Sequence, residues 1–294
     1  MGRREWEALP AGVRSAVEER CGPVIKAEIP EWGYGSEFSS TLHLDRGAIF
    51  CKGIRADASA AWMHRNEVSV NPWLPDLVPR LLWQFEADGW LLLGFEYVDG
   101  RPADLSPWSD DLVPIAAAVA ELGRELTPCP TGTRSLAARW ARRPVWRMYL
   151  DTPPGDLDPW DRAHLPEFAR LEEAAPALVD GDTLLHTDLH PGNLLMDGGG
   201  VRVADWAWRS RGAAWVDPAF LVIRLMAEGH SPYAAEAWAQ QVPAWREAEP
   251  GAVMVFAATV LGLWEDKTRM APRPDSERLT AAARMWARHR LATA

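Results

Sequence analysis

The chain has 294 residues, 48% of them apolar, and carries 31 basic against 41 acidic side chains, a formal net charge of −10. That length accommodates two modest lobes with separate cores, and the negative balance argues against a general nucleic-acid footprint, which needs a basic face. Three scattered cysteines, Cys21, Cys51 and Cys129, give neither a disulfide framework nor zinc-ligand spacing. The longest apolar run, fourteen residues from Gly251 to Trp264, suits a buried helix rather than a membrane span, and Met-Gly-Arg-Arg-Glu-Trp-Glu at the start has no apolar signal core. A cytoplasmic chain is expected.

In chain order, a helix from about Ala11 to Arg20 precedes the first strand candidate, Val24 to Ile29. Phe38 to Leu44 and Ala48 to Ile54 follow, joined by the hairpin-length turn Asp45-Arg46-Gly47. A helix over Ser59 to about Asn71 ends at Pro72. Strands Arg80 to Glu86 and Trp90 to Tyr97 meet at the turn Ala87-Asp88-Gly89. After Gly100 the apolar period changes from two to 3.6. Helices are predicted over Asp111–Leu126, Leu136–Leu150, Pro159–Val179, Asp217–Gly229, Pro232–Gln241, Gly251–Met270 and Ser276–Leu291. Only Thr183 to Ala207 interrupts them, with short apolar runs around a polar turn and an Asp197-Gly-Gly-Gly200 hairpin. These patterns predict an α+β chain with a β-rich N-terminal lobe over 1–98 and a mostly helical C-terminal lobe over 99–294. Most of the seventeen tryptophans, among them Trp140, Trp238 and Trp286, are expected in core packing.

The chemistry-bearing segment is His186-Thr-Asp188-Leu-His190-Pro-Gly-Asn193, followed twelve residues later by Asp205 behind the apolar run Val201 to Ala204. Phosphoryl transfer needs an acceptor for the substrate hydroxyl proton and oxygen ligands for Mg²⁺. Asp188 fits the first requirement, Asn193 and Asp205 the second. Asp, Pro, Gly and Asn are also turn formers, so a plain turn between two strands is the alternative for the octet; the downstream residues weigh further against it.

His-x-Asp-x-x-x-x-Asn with a following Asp resembles the catalytic and metal-binding segments of the protein-kinase-like superfamily, and most closely its aminoglycoside phosphotransferase branch. There the loop commonly reads His-Gly-Asp-Leu-His-Pro-Gly-Asn, with Asp-Trp and Asp-Pro-Ala downstream. Here Thr187 replaces the glycine, and the later pieces are Asp205-Trp206 and Asp217-Pro218-Ala219. The resemblance implies a two-lobed protein-kinase-like fold and an ATP- or GTP-dependent, Mg²⁺-dependent enzyme that phosphorylates a hydroxyl group.

The resemblance also implies roles. Gly33, Gly35 and Ser36 would approach the phosphates through backbone amides, although Trp32–Ser40 departs from a full phosphate-loop pattern. Lys52 would hold the α- and β-phosphates and Glu67 would orient it; between Gly53 and Pro75 the only other acid is Asp57. The backbone of Phe95, Glu96, Tyr97 and Val98 would meet the purine edge. His186 would brace the loop, and Asp217 would either support it or simply cap a helix. His190, and the adjacent carboxylates Glu265 and Asp266, are the candidate contacts to the acceptor. Those carboxylates and the net charge predict a small hydroxylated acceptor that is neutral or cationic, within a family range of aminoglycosides, macrolides, choline-like alcohols, homoserine and sugars. An antibiotic acceptor would make the chain a resistance enzyme. The eleven residues between Asp205 and Asp217 leave little room for a long activation segment, which disfavours a protein kinase. A non-catalytic nucleotide-binding regulator is the other alternative, and the presence of Lys52, Asp188, Asn193 and Asp205 counts against it.

Overall fold

The computed structural model describes residues 4–30 and 36–293. Contacts divide the chain into two compact units, Met1–Ala103 with His190–Trp208, and Asp104–Leu189 with Arg209–Ala294. The sequence reading placed a single cut after residue 98. The difference arises because a short strand at 101–102 pairs with the segment after residue 193, drawing the second half of the His186–Asn193 octet into the first unit.

The first unit opens with helix α1 (Ala11–Cys21), strands β1 (Lys26–Glu28), β2 (Phe38–Leu44) and β3 (Gly47–Arg55), and helix α2 (Ala61–Val70). Strands β4 (Leu81–Ala87), β5 (Trp90–Glu96) and β6 (Arg101–Pro102) follow. An antiparallel sheet forms in the order β1-β2-β3-β5-β4. Period-two alternation divides its side chains. Phe38, Leu42, Cys51, Trp90 and Leu92 pack with Val13 and Val17 of α1, whereas Ile54, Leu91, Leu93 and Phe95 pack with Ala61 of α2. The same parity places Lys52, one residue from Cys51, on the α2 face. Gly94 is needed for packing, since a Cβ there would lie 2.3 Å from the Trp83 ring.

The chain then runs through α3 (Leu112–Glu125), α4 (Leu136–Trp140), α5 (Val145–Asp151), α6 (Pro159–Ala163), α7 (Leu165–Leu178) and β7 (Thr183–Leu185). It re-enters the first unit for β8 (Leu194–Asp197) and β9 (Gly200–Val203), and β8 pairs with both β6 and β9. It ends with β10 (Ser210–Gly212), which pairs with β7, and helices α8 (Val216–Ala227), α9 (Pro232–Ala239), α10 (Pro243–Arg246), α11 (Pro250–Met270) and α12 (Ser276–Ala292).

Two predicted helices are each broken in two. Pro144 separates α4 from α5, because proline cannot continue the preceding turn. His164, with Pro166 in the first turn of the next helix, separates α6 from α7. Trp146, Phe168, Phe256 and Trp286 are fully buried in the second unit, and Trp140 and Trp238 are buried as well. No helix among the described residues is long and apolar enough to cross a membrane.

Candidate active site

In the first unit, Lys52 lies at the centre of a buried charge cluster. Its Nζ donates to both carboxylate oxygens of Glu67 at 2.9 and 3.1 Å and lies 3.3 Å from Oδ2 of Asp205. Strand β3 supplies the lysine. Helix α2 presents Glu67 on the stripe Ala61, His64, Glu67 and Val70, the face it buries. The helix also holds the Asp205 segment, since the Asn66 amide donates to the Ala207 carbonyl at 2.9 Å and the Trp206 N–H donates to Glu67.

Burial, reinforced by the Asp205 carboxylate, pushes the Glu67 carboxyl up to about 7 against the pull of Lys52. Burial works against the Lys52 charge, but the two carboxylates outweigh it and hold that amine above its ordinary value. Two anions sharing one cation is an arrangement in which a divalent cation is electrostatically welcome.

A cavity of about 450 Å³ opens beside this cluster. Lys52, Glu67, Phe95, Glu96, Tyr97, Val98, Asn193 and Asp205 line it together with Ser36, so nine of the sequence candidates meet in one place. Its apolar lining, including Phe50, Val78 and Leu195, was not singled out in the sequence, where such residues are indistinguishable from ordinary core. Gly33 and Gly35 lie outside the described residues. The Ser36 hydroxyl is 3.2 Å from Nε2 of His64 on α2.

Asn193 and Asp205 bring oxygen donors to the cavity wall, the donor type that Mg²⁺ takes. The Ala204 N–H donates to the Asn193 carbonyl at 2.9 Å, tying the two segments together. Asp205 has a left-handed backbone, φ 65°. A non-glycine residue held there stores strain of the kind that collects at functional sites. These residues fit the ion. His190, by contrast, turns its Nδ1 back to accept from the Gly192 N–H at 3.1 Å, closing the short turn Pro191–Asn193.

The second unit contains the other half of the octet. His186 is fully buried and its Nδ1 accepts from the Asp188 N–H at 3.2 Å. Asp217 does more than cap a helix. Its two carboxylate oxygens accept from the backbone N–H groups of His186 and Thr187, both at 2.8 Å. Thr187, in the glycine position of the resemblance, has φ 63°, and Arg139 donates to its hydroxyl at 3.3 Å. A β-branched residue in that region costs about 1–2 kcal/mol, which the paired hydrogen bonds to Asp217 offset.

Around Asp188 the second unit gathers cations that the sequence reading missed. Nη2 of Arg224 is 3.5 Å from Asp188, and its Nη1 is 3.2 Å from Asp275. Lys267 on α11 senses the charge of Asp188 as well. Lysine occurs only at positions 26, 52 and 267, and that scarcity was the available signal.

Glu265 and Asp266, the expected contacts to the acceptor, are both held in ion pairs. Glu265 is buried and pairs with Arg284 and with Arg269, and Asp266 pairs with Arg143 at 2.6 Å. Buried carboxylates require such partners, and these join α11 to α12 and to the segment before α5.

The profile of the phosphotransferase enzyme family matches residues 54–250. No curated protein sequence matches the chain. Among solved structures, an aminoglycoside phosphotransferase from Alicyclobacillus acidocaldarius superposes with a TM-score of 0.59 at 15% identity, over 92% of this chain and 90% of that one. Choline kinase LicA from Streptococcus pneumoniae gives 0.64 at 14% identity, over 94% and 99%. A thermostable mutant of aminoglycoside phosphotransferase APH(4)-Ia, solved with ADP and hygromycin B, gives 0.60 at 15% identity, over 94% and 99%. At these identities the likeness is one of fold, whereas the profile match spans most of the chain and includes Glu67, Asp188, Asn193, Asp205 and Asp217. The chain belongs to the phosphotransferase enzyme family.

Proposed function

We propose that this chain moves the γ-phosphate of ATP or GTP, with Mg²⁺, to a hydroxyl group of a small molecule. The observation that carries this reading is Lys52, held between Glu67 and Asp205 on the wall of a cavity that Asn193 and the Phe95–Val98 strand end also line. In this reading Lys52 binds the α- and β-phosphates and Glu67 fixes its position. Asn193 and Asp205 hold Mg²⁺, which neutralises charge on the phosphates. Asp188 accepts the proton of the attacking hydroxyl, on a loop that His186 and Asp217 keep in one conformation.

The acceptor is a small hydroxylated compound. The expectation that it is neutral or cationic rests on net charge and on Glu265 and Asp266, whose carboxylates are engaged in ion pairs within the second unit. The relative solved with hygromycin B is similar to this chain in fold only. A peptide acceptor is disfavoured by the short connection after Asp205, where a single turn, Trp206–Trp208, and β10 use most of the eleven residues before Asp217.

The test is incubation of the purified chain with ATP or GTP, with and without Mg²⁺, against a panel of hydroxylated metabolites, antibiotics and a mixed peptide library. Nucleotides are separated by chromatography and products followed by ³¹P NMR. Acceptor-dependent release of the diphosphate, absent without Mg²⁺ and lowered by orders of magnitude in Asp188→Asn, is the expected result. Nucleotide binding without turnover of any acceptor would instead identify a regulator.

A further inference from the structure

The second unit, which contains Asp188, also holds an ammonium group with no carboxylate within ion-pair distance among the described residues. Lys267 lies on α11, half-buried, with its Nζ 4.2 Å from the centre of the Trp264 ring. No carboxylate oxygen lies within 4.0 Å of it among the described residues, whereas the half-buried Arg224, Arg269, Arg284 and Arg290 of the same unit each have one. Arg224, whose guanidinium carbon is 5.5 Å from the same ring, is committed to Asp188 and Asp275. The four charges that act most on Lys267 are Asp188, Asp275, Arg224 and Arg273. The two carboxylates among them are already engaged by Arg224, at 3.5 and 3.2 Å, in a protein whose net charge is −10.

Desolvating an unpaired ammonium is costly, and burial lowers the Lys267 pKa from its ordinary value. The surface lysine, Lys26, pairs with Glu28, and Lys52 pairs with Glu67 and Asp205. Lys267 alone of the three is left for a ligand. It belongs to the same unit as Asp188, whereas every residue lining the cavity assigned to the nucleotide belongs to the first unit.

We propose that the acceptor carries an anionic group, a carboxylate or a phosphate, which Lys267 binds by a charge-assisted hydrogen bond while the acceptor's hydroxyl faces Asp188. This rests on the phosphotransferase reading above and sets the charge class of its acceptor. Arg224 keeps its two carboxylates and holds Asp188 in place. Lysine suits the role because its rotatable donors follow an anion of either geometry.

The experiment compares matched acceptors that differ by the anion: glycerate, glycerol 3-phosphate and glycerol; gluconate and glucose; serine and ethanolamine. Each is assayed by nucleotide diphosphate release with wild type and Lys267→Gln. In parallel, the three lysine side chains are labelled with ¹⁵N or ¹³C and followed by NMR, with the Lys267 signal assigned by its loss in Lys267→Gln, during titration with glycolate, inorganic phosphate and ethylene glycol. The expected result is faster turnover of the anionic member of each turned-over set. Lys267→Gln should raise the KM of that member at least tenfold, with a much smaller change in nucleotide KM. The Lys267 resonance should shift with glycolate or phosphate but not with ethylene glycol, and the carboxylate and phosphate arms identify which anion is taken. Best turnover of neutral or cationic acceptors, a Lys267 signal indifferent to both anions, or a KM effect confined to the nucleotide would each overturn the proposal while leaving the phosphotransferase reading standing. Loss of all acceptor-dependent turnover in wild type would instead remove that reading.

Discussion

His64 provides a prediction that can be worked through from the structure. It is 2% exposed on the buried face of α2, with Nε2 near the Ser36 hydroxyl and Nδ1 without a hydrogen-bond partner among the described residues. Burial, and then the nearby Lys52 charge, push its pKa from 6.5 down to about 3. As pH falls below 6.5 the unfolded chain takes up a proton on this residue and the folded chain does not. Stability that is fully present above pH 6.5 is therefore lost progressively as pH falls towards 3. A difference of one proton is worth about 1.4 kcal/mol per pH unit, so between pH 6.5 and 5.0 His64 alone removes about 2 kcal/mol. His64→Gln keeps a polar group near Ser36 but cannot titrate. Urea unfolding of both proteins, followed by tryptophan fluorescence at pH 7.5 and 5.0, measures the difference by linear extrapolation. Wild type should lose about 2 kcal/mol more than the variant over this interval. Equal losses would mean that His64 is protonated in the fold, and the account of its burial beside Lys52 would be wrong.

Asp205→Ala should abolish Mg²⁺-dependent nucleotide turnover with circular dichroism unchanged, while Asn193→Ala, which removes a neutral ligand, should be milder; wild-type turnover from both would remove the metal assignment. Glu265→Gln should lower unfolding free energy by about 2–3 kcal/mol, since charge-assisted bonds to Arg284 and Arg269 are weakened, and should leave acceptor KM within twofold. A selective rise in acceptor KM at full stability would restore Glu265 as a contact. Asp217→Ala should cost about 2–4 kcal/mol by leaving the His186 and Thr187 N–H groups without their acceptor. It should also lower kcat more than it raises nucleotide KM, and an unchanged kcat would show that the loop needs no such brace.

The sequence by itself determined the elements that local pattern controls. Period-two runs with Gly-containing turns located β2 to β5 to within one residue at each end, Phe38–Leu44 without error, because side-chain alternation and turn chemistry act over a few residues; the two-residue β6 is too short to carry such a pattern. Motif spacing brought Lys52, Glu67, Asn193 and Asp205 under suspicion, and the structure gathers all four on one cavity. Tertiary structure alone decided which polar residues are free to act. Glu265 and Asp266 look like any adjacent acids in a string of letters; only the return of α12 brings Arg284 to Glu265, and only the break at Pro144 sets Arg143 against Asp266. The reverse holds for Lys267, which no carboxylate among the described residues reaches within ion-pair distance, only the Trp264 ring. Pairing partners come from elements 36 to 123 residues apart in such cases as Arg224–Asp188 and Arg284–Asp161, and no local period encodes them. Backbone hydrogen bonding and hydrophobic periodicity are local and legible, whereas the neutralisation of a buried charge is a property of the packed neighbourhood and appears only once the chain has folded.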